Sequence, residues 1–471
     1  MALHENVRFF AATDVGRVRE HNEDNFLIDR RIGLLVVADG MGGHAAGEIA
    51  SALAVRTIHE EVKKQRALIE AYEAGASGTS AATVSAREIL TVIEHAVQRA
   101  SARIHEEAQS DAQKRGMGTT VSGLLLVGTT GFIAHVGDSR VYLSRAGRVH
   151  QITEDHTVYN ELVKRGKLSR EQIEKVAQKN AITRAVGIYE RVEVDTLLIE
   201  TVPGDAFLIC SDGLHGYVDN EAELQEYLAD MEGQAGVDGL IGLANARGGK
   251  DNVTAVVVRV GAQGADDDAR ARRLAQKRAF IAQMPLFARL SDRELLRVMQ
   301  VAAVRTYVDG HQVIREGDLG DELFIVLAGQ LRVSKGDAVL THLGPGHHVG
   351  EMALIRNAPR SATVTAEGPT EVVVIKRADF FEILRKDHEL AIKLLWQFLG
   401  VLADRLDMTN RELRTAREEL AIEEVSHQVF PDMEEDDRPT LPPGEPLALA
   451  RYRPARRWGA RVTARAGRGS S

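Results

Sequence analysis

The sequence predicts a multidomain chain: an α+β region over residues 1–261, then a β-roll with flanking helices over 283–408. Three observations carry this. Short apolar runs alternate with helical periodicities up to about residue 260. Composition then changes abruptly at "GAQGADDDARARRLAQK" (261–277). Beyond 283, glycines at 310, 317, 329, 336 and 346 punctuate short alternating runs such as "DELFIVLAGQLRVSKGD", a spacing that suits many short strands. The 471 residues and 44% apolar content allow two or three domains with sizeable cores.

In order, the strand candidates of the first region are 33–38, 121–127, 131–137, 206–210 and 253–260. Helical patterns cover 45–64 and 87–108; in the second, Ile89, Leu90, Ile93, Ala96, Val97, Ala100 and Ile104 recur at three- and four-residue steps. Between them, "AYEAGASGTSAAT" (71–83) reads as a small-residue loop. Residues 262–282 read as a linker, helical at its end. After Ala378 the pattern is helical again. Leu399, Leu402, Leu406, Thr409, Leu413, Ala416 and Leu420 form a short heptad seam, so 409–425 reads as a helical or coiled-coil extension suited to a homodimer. The tail 426–471 is acidic, then Pro-rich, then basic, and reads as disordered.

A net charge of −9 leaves no nucleic-acid footprint for the whole chain. The single cysteine, Cys210, rules out an internal disulfide and suits a reducing cytosol. The N-terminus lacks a basic start and long apolar core, and no apolar run approaches bilayer length. The expectation is a cytoplasmic protein with no membrane contact.

Chemistry concentrates at aspartates. "LLVVADGMGGHAAGE" carries an apolar strand into Asp39, and "FLICSDG" does so at Asp212. "GFIAHVGDSR" ends at Asp138, and "GGKDNVTAVVVRV" places Asp251 just before a strand. "GRVREHNEDN" adds Arg19, Glu23 and Asp24. Any one Asp-Gly pair after a strand is usually a hairpin turn. Here a long helical pattern follows "ADGMGG", and four strand-end aspartates accompany one arginine. Converging carboxylates repel and need a cation. All-oxygen ligands suit Mg²⁺ or Mn²⁺, and two such ions sharing a carboxylate can activate a water for in-line phosphoryl displacement.

"VREHNEDN", "VVADGMGGHAAGE", "RGMGTTVSG", "HVGDSRVY", "ITEDHT", "ICSDGL" and "KDNVT" follow the order seen in bacterial metal-dependent serine/threonine protein phosphatases (PPM, type 2C). The resemblance covers roughly residues 8–260. It implies a four-layer αββα sandwich with metals at one end of the two sheets. It also implies that Asp39 bridges two ions, that the Gly40 carbonyl binds the second, and that Asp212 and Asp251 bind the first. Asp138, with Asp212, resembles a third, weaker site. Asp24 resembles a residue holding metal-bound water, and Arg19 resembles the guanidinium that grips substrate phosphate. Residues 156–190 match the family's flap beside the active site, with Asn180 read as loop packing. Two positions depart from relatives: Met41 stands where some carry His, and Val176-Ala177 where many carry His-Pro. His44 reads as structural or solvent-facing. Cys210 reads as a buried strand residue, since no arginine lies at the spacing a cysteine phosphatase requires.

"HHVGEMALIRNAPRSATVTA" (347–366) resembles the phosphate-binding cassette of cyclic-nucleotide-binding domains. Arg360 can neutralise a cyclic phosphate and Glu351 can accept the ribose 2′-hydroxyl proton. "GEMAL" can form a short helix facing the phosphate. The resemblance gives Gly350, Glu351, Arg360 and Ser361 as the ligand set. Relatives with serine rather than threonine at this place more often take cAMP than cGMP. The competing reading is a degenerate barrel kept for packing. The expected function is hydrolysis of phosphoserine and phosphothreonine in protein substrates of a serine/threonine kinase, regulated by cyclic nucleotide. The rival is a cyclic-nucleotide sensor with an idle phosphatase fold; the intact Asp39, Asp212 and Asp251 set argues against it.

Overall fold

Two antiparallel sheets are built from β1 (Val7–Asp14), β2 (Asp24–Asp29), β3 (Leu34–Met41), β4 (Gly118–Thr119), β5 (Val121–Val127), β6 (Thr130–Val136), β7 (Arg140–Arg145), β8 (Arg148–Gln151), β9 (Asp195–Glu200), β10 (Ala206–Cys210) and β11 (Val253–Val260). One sheet runs β1-β11-β10-β7-β8; the other runs β2-β3-β5-β6-β9, with β4 on β3. The computed structural model describes residues 6–42, 46–76, 84–165, 172, 175–176, 181–229, 233–262 and 266–429.

Period-two alternation explains why the apolar runs are unbroken. Leu35 and Val37 of β3 meet Val256 and Val258 of β11 between the sheets. Their neighbours Leu34, Val36 and Ala38 face outward onto Ala50 and Ile58 of the helix Ala46–Lys64, and onto Ile93 and Val97 of the helix Ala86–Ser110. On the far side, Val253, Ala255 and Val257 pack on Leu224 and Leu228 of the helix Glu221–Ala229 and on Leu240 of the helix Gln234–Ala246. Strands buried on both faces need apolar residues at every position. Each fully buried Val or Leu contributes roughly 1.5–3 kcal/mol. The layers are helix, sheet, sheet, helix, which is the αββα sandwich the resemblance implies.

The structure departs from the sequence expectation at one loop. Residues Arg66–Ala76 are helical, so the first part of "AYEAGASGTSAAT" is not loop. Ile69 is buried, and the Tyr72 ring meets Phe132 edge-on at 5.4 Å. Small residues hid this face, whose anchors are only Leu68, Ile69 and Tyr72. Residues 77–83 lie outside the described residues.

The second half forms a roll from β12 (Ala302–Tyr307), β13 (Gln312–Ile314), β14 (Leu319–Gly320), β15 (Glu322–Lys335), β16 (Ala338–Leu343), β17 (His348–Val349), β18 (Ala358–Pro359) and β19 (Thr363–Lys376). The long strands β15 and β19 pair along their length, and the register slips on either side of Ala328. Phe324, Val326, Val372 and Val374 fill the roll. Leu323, Ile325, Val373 and Ile375 face the other way, onto helices Asp267–Gln283, Asp292–Val301 and Arg377–Lys386. Most of the segment read as a linker is thus a helix whose Leu274 and Ile281 are buried in that outer core.

The described residues up to 401 form one compact unit and those from 402 onward a second. The described part of the second unit is helical: the helix His388–Val429 runs past the expected end at 425. Residues 430–471, which hold the rest of the expected disordered tail, lie outside the described residues. Among the described residues no helix is long and apolar enough to cross a membrane.

Candidate functional site

The site begins at the end of β3. Asp39 pairs in register with Asp24 of β2. Its amide donates to Thr120 Oγ1 at 3.0 Å, and its carbonyl accepts from the Thr120 amide at 2.8 Å and from Thr119 Oγ1 at 2.8 Å. The backbone carrying Asp39 is therefore fixed on both sides. Gly40 follows because nothing else fits: a Cβ there would stand 2.1 Å from the Gly47 carbonyl oxygen and 2.7 Å from that of Glu23. His44 lies outside the described residues.

Asp212 opens the short helix Asp212–His215 directly after β10, and Asp251 lies just before β11. Gly213 lets these two ends meet, since a Cβ there would fall 2.0 Å from the Asn252 carbonyl oxygen. Asp39 and Asp212 come within hydrogen-bonding reach of each other. Asp24 is buried; its Oδ2 accepts from Ser211 at 2.8 Å and from Thr254 at 2.6 Å, while its Oδ1 has no protein partner. Asp138, after β6, is also buried, and its Oδ1 likewise lacks a partner.

Electrostatics follow from this convergence. Burial, then the neighbouring Asp24, Asp212, Asp138 and Asp251, hold the Asp39 carboxyl well above the ordinary carboxylate range, although Asp39 keeps part of its surface open to solvent. Burial pushes Asp24 up to about 6 and Asp138 up to about 7. Burial and Asp251 raise Asp212. Arg19, about half exposed, offers the compensating charge at the rim: its Nη2 donates to Asp251 Oδ2 at 2.8 Å. Among the described residues no three carboxylate or imidazole side chains form a ready-made metal cage. The fit to a cation rests instead on two orphaned buried carboxylate oxygens and on four carboxyls raised by burial and mutual repulsion. An all-oxygen donor set of this kind suits a hard divalent ion.

Several positioning groups escaped the sequence. His215 Nε2 lies 2.9 Å from the Asp138 carbonyl oxygen, and burial pulls its pKa down to about 4, so it sits there neutral and donating. The Gly137 amide donates to His156 Nδ1, and the His156 amide to the Gly137 carbonyl. Asn252 ties the Glu23 amide to the carbonyls of Val15 and His21. Glu23, which the sequence already sets beside Arg19 and Asp24, reaches the site: burial raises its pKa and Arg19 lowers it. Cys210 is fully buried, and burial pushes its thiol up to about 12, so it is a strand residue and not a nucleophile. Asn180 and Ala177 lie outside the described residues.

The second site lies in the roll. The Arg360 guanidinium packs across two glycines: a Cβ on Gly320 would meet its Nε at 2.2 Å, and one on Gly350, at φ +89°, would meet its Nη1 at 2.5 Å. Its Nη2 donates to the Glu322 carbonyl at 2.7 Å. Burial lowers its pKa, against the pull of Glu322, Asp321 and Glu351. Glu351 sits at the N-terminus of the short helix Met352–Ile355, and Ser361 is exposed beside Arg360. Gly350, Glu351 and Arg360 are therefore neighbours.

Comparison with known proteins matches this division. A protein phosphatase 2C family model matches residues 16–245, and a cyclic nucleotide-binding domain model matches residues 304–387. The chain is 38% identical over 250 residues to the serine/threonine phosphatase stp of Listeria innocua, covering 52% of this chain and 93% of that protein. It is 33% identical over 259 residues to the protein phosphatase PhpP of Streptococcus pneumoniae, covering 54% of this chain and 98% of that protein. Among solved structures, the Mycobacterium tuberculosis serine/threonine phosphatase PstP/Ppp is 34% identical, covering 54% of this chain and 99% of that chain with a TM-score of 0.47. The chain belongs to the protein phosphatase 2C (PPM) family of metal-dependent serine/threonine phosphatases and carries a cyclic nucleotide-binding domain on the C-terminal side.

Proposed function

We propose that the chain dephosphorylates phosphoserine and phosphothreonine in the protein substrates of a serine/threonine kinase, at a rate set by a bound cyclic nucleotide. The carrying observation is the gathering of Asp24, Asp39, Asp138, Asp212 and Asp251 at one end of the facing sheets, with Arg19 on Asp251. In this reading Asp39, the Gly40 carbonyl, Asp212 and Asp251 would hold two Mn²⁺ or Mg²⁺ ions. Asp138 with Asp212 would hold a weaker third, and Asp24 would orient water; when bound, such ions would supply a more acidic water and charge stabilisation for phosphoryl transfer. The chain's own residues do the rest. β3 and Thr120 hold Asp39 still. Arg19 has five N–H donors, more than Asp251 uses, so the same guanidinium can bring a phosphate ester alongside the carboxylates.

On the regulatory side, Arg360 takes the cyclic phosphate, Glu351 and Gly350 the ribose edge, and Ser361 the phosphate or purine. cAMP is favoured over cGMP. The proposed division is a 1–261 phosphatase and a 283–408 cyclic-nucleotide domain joined through the packed helix Asp267–Gln283, followed by a helical extension that runs to Val429, in a cytoplasmic protein. The helix His388–Val429 is proposed as a homodimer seam. It leaves Ile392, Leu399, Leu406, Leu413 and Leu420 exposed at seven-residue spacing. Hydrolysis of a phosphothreonine peptide by the full chain with Mn²⁺ tests the catalytic half. Metal-dependent release of phosphate supports it; no turnover with Mn²⁺ or Mg²⁺ in the presence or absence of cAMP favours the idle sensor.

A further inference from the structure

Glu154 follows β8 in the "ITEDHT" stretch, and its side chain is only 11% exposed. Three cations from two other elements reach it. Arg293 and Arg297, on the helix Asp292–Val301, lie 2.5 and 4.0 Å from Oε2. Lys164, on the helix Val158–Arg165, lies 3.2 Å from Oε1. Arg297 also grips Asp387 at 2.5 Å, at the junction between the last two helices of the cyclic-nucleotide side. One nearly buried carboxylate thus joins the roll's helices to the segment flanking the catalytic cleft.

Inward from Glu154, buried polar contacts lead to the backbone of Asp39 and of Asp138. Its carbonyl lies 3.0 Å from His135 Nε2, and His135 Nδ1 lies 2.9 Å from Ser122 Oγ. Ser122 Oγ is also 3.0 Å from the Ser139 carbonyl, so its single proton serves one partner at a time. Ser139 Oγ meets Thr120 Oγ1 at 2.6 Å, and Thr120 Oγ1 accepts the Asp39 amide. All four side chains are buried. The path to the Asp138 backbone is shorter: His156, two residues on, exchanges hydrogen bonds with Gly137, next to Asp138.

We propose that Glu154 is a positioning residue, the joint through which the helices of the cyclic-nucleotide side set the flap helix and the Asp39 and Asp138 backbone. It rests on the regulated-phosphatase reading for its purpose, but its physical claim is separate. Removing one member of a nearly buried ion cluster leaves the others uncompensated, so displacement of Arg297 is felt at Lys164. Spatial connection alone does not establish coupling; a double-mutant cycle does.

The test uses the full chain with saturating Mn²⁺ and a phosphothreonine peptide. Glu154→Gln, Arg297→Ala and the double variant are compared in kcat and KM, with and without cAMP. The expected result is a lower kcat for each single variant, with the double resembling Glu154→Gln alone. The departure from multiplicative effects should be about threefold or more, with partial recovery of kcat in Glu154→Asp. A residue that only supports stability would lower the melting temperature and leave kcat unchanged. That outcome, or multiplicative effects, overturns the proposal. Should Glu154→Gln fail to fold, Lys164→Met with Arg297→Ala reads the same coupling, because both cations share Glu154. If the wild type ignores cAMP and cGMP, the regulatory reading fails while the cycle still judges Glu154.

Discussion

Asp39 is held by Thr120, crowded by Gly47 behind Gly40, and surrounded by four other carboxyls. In the proposed reading such a residue serves chemistry at a cost to stability. Asp39→Asn should therefore act in two opposed directions. Turnover should fall by more than about a hundredfold, beyond the loss seen when partners of metal ligands are removed. The metal-free protein should melt higher, because one repelling carboxylate is gone. Phosphatase assay and calorimetry check both, and retained turnover contradicts the role.

The same cluster fixes a pH dependence. Asp24 at about 6 and Asp138 at about 7 titrate in the folded protein above the ordinary aspartate value near 3.9. Between about pH 4 and pH 7 the folded state holds more protons here than the unfolded state. The cluster's contribution in the metal-free protein should therefore fall as pH rises through that window and level off above it. Mn²⁺ binds the ionised forms, so its stabilising shift should grow over the same range. Thermal melts of wild type and Asp138→Asn, with and without Mn²⁺, isolate the effect. A metal-free wild type that gains stability relative to Asp138→Asn as pH rises contradicts it.

At the scale of elements, what was legible depended on how completely a segment is buried. β3, β5, β6, β10 and β11 carry apolar residues on both faces and stood out as runs. β2 and β9 present half-buried, mixed faces, and no sequence run marked them. The helix Arg66–Ala76 was hidden by alanine and glycine. The long C-terminal helix was legible from its heptads, and its exposed leucines give a direct test. Leu406→Asp/Leu413→Asp replaces residues 62% and 54% exposed, so it should leave folding intact and convert a dimer to monomer in light scattering. An unchanged mass contradicts the seam.

At the scale of the molecule, the aspartates of the candidate site were legible because each lies at or beside a strand end. The groups that place them were not. Arg293 is separated from Glu154 by 139 positions and Asn252 from Glu23 by 229, and no local pattern marks such pairs. The two-domain order was visible in the change of texture near residue 261. The extent to which the segment beyond it packs on the roll, through Leu274 and Ile281, was not.

The central claim joins the two halves: a metal-dependent phosphatase whose rate answers to a nucleotide held by Arg360. It is tested most directly by titrating cAMP and cGMP into full-length wild type and Arg360→Ala while following Mn²⁺-dependent phosphothreonine hydrolysis. The account predicts a saturable change in wild-type rate at lower cAMP than cGMP, and loss of that response in Arg360→Ala with its basal rate retained. A response that persists in Arg360→Ala, or a wild type indifferent to both nucleotides, would contradict it.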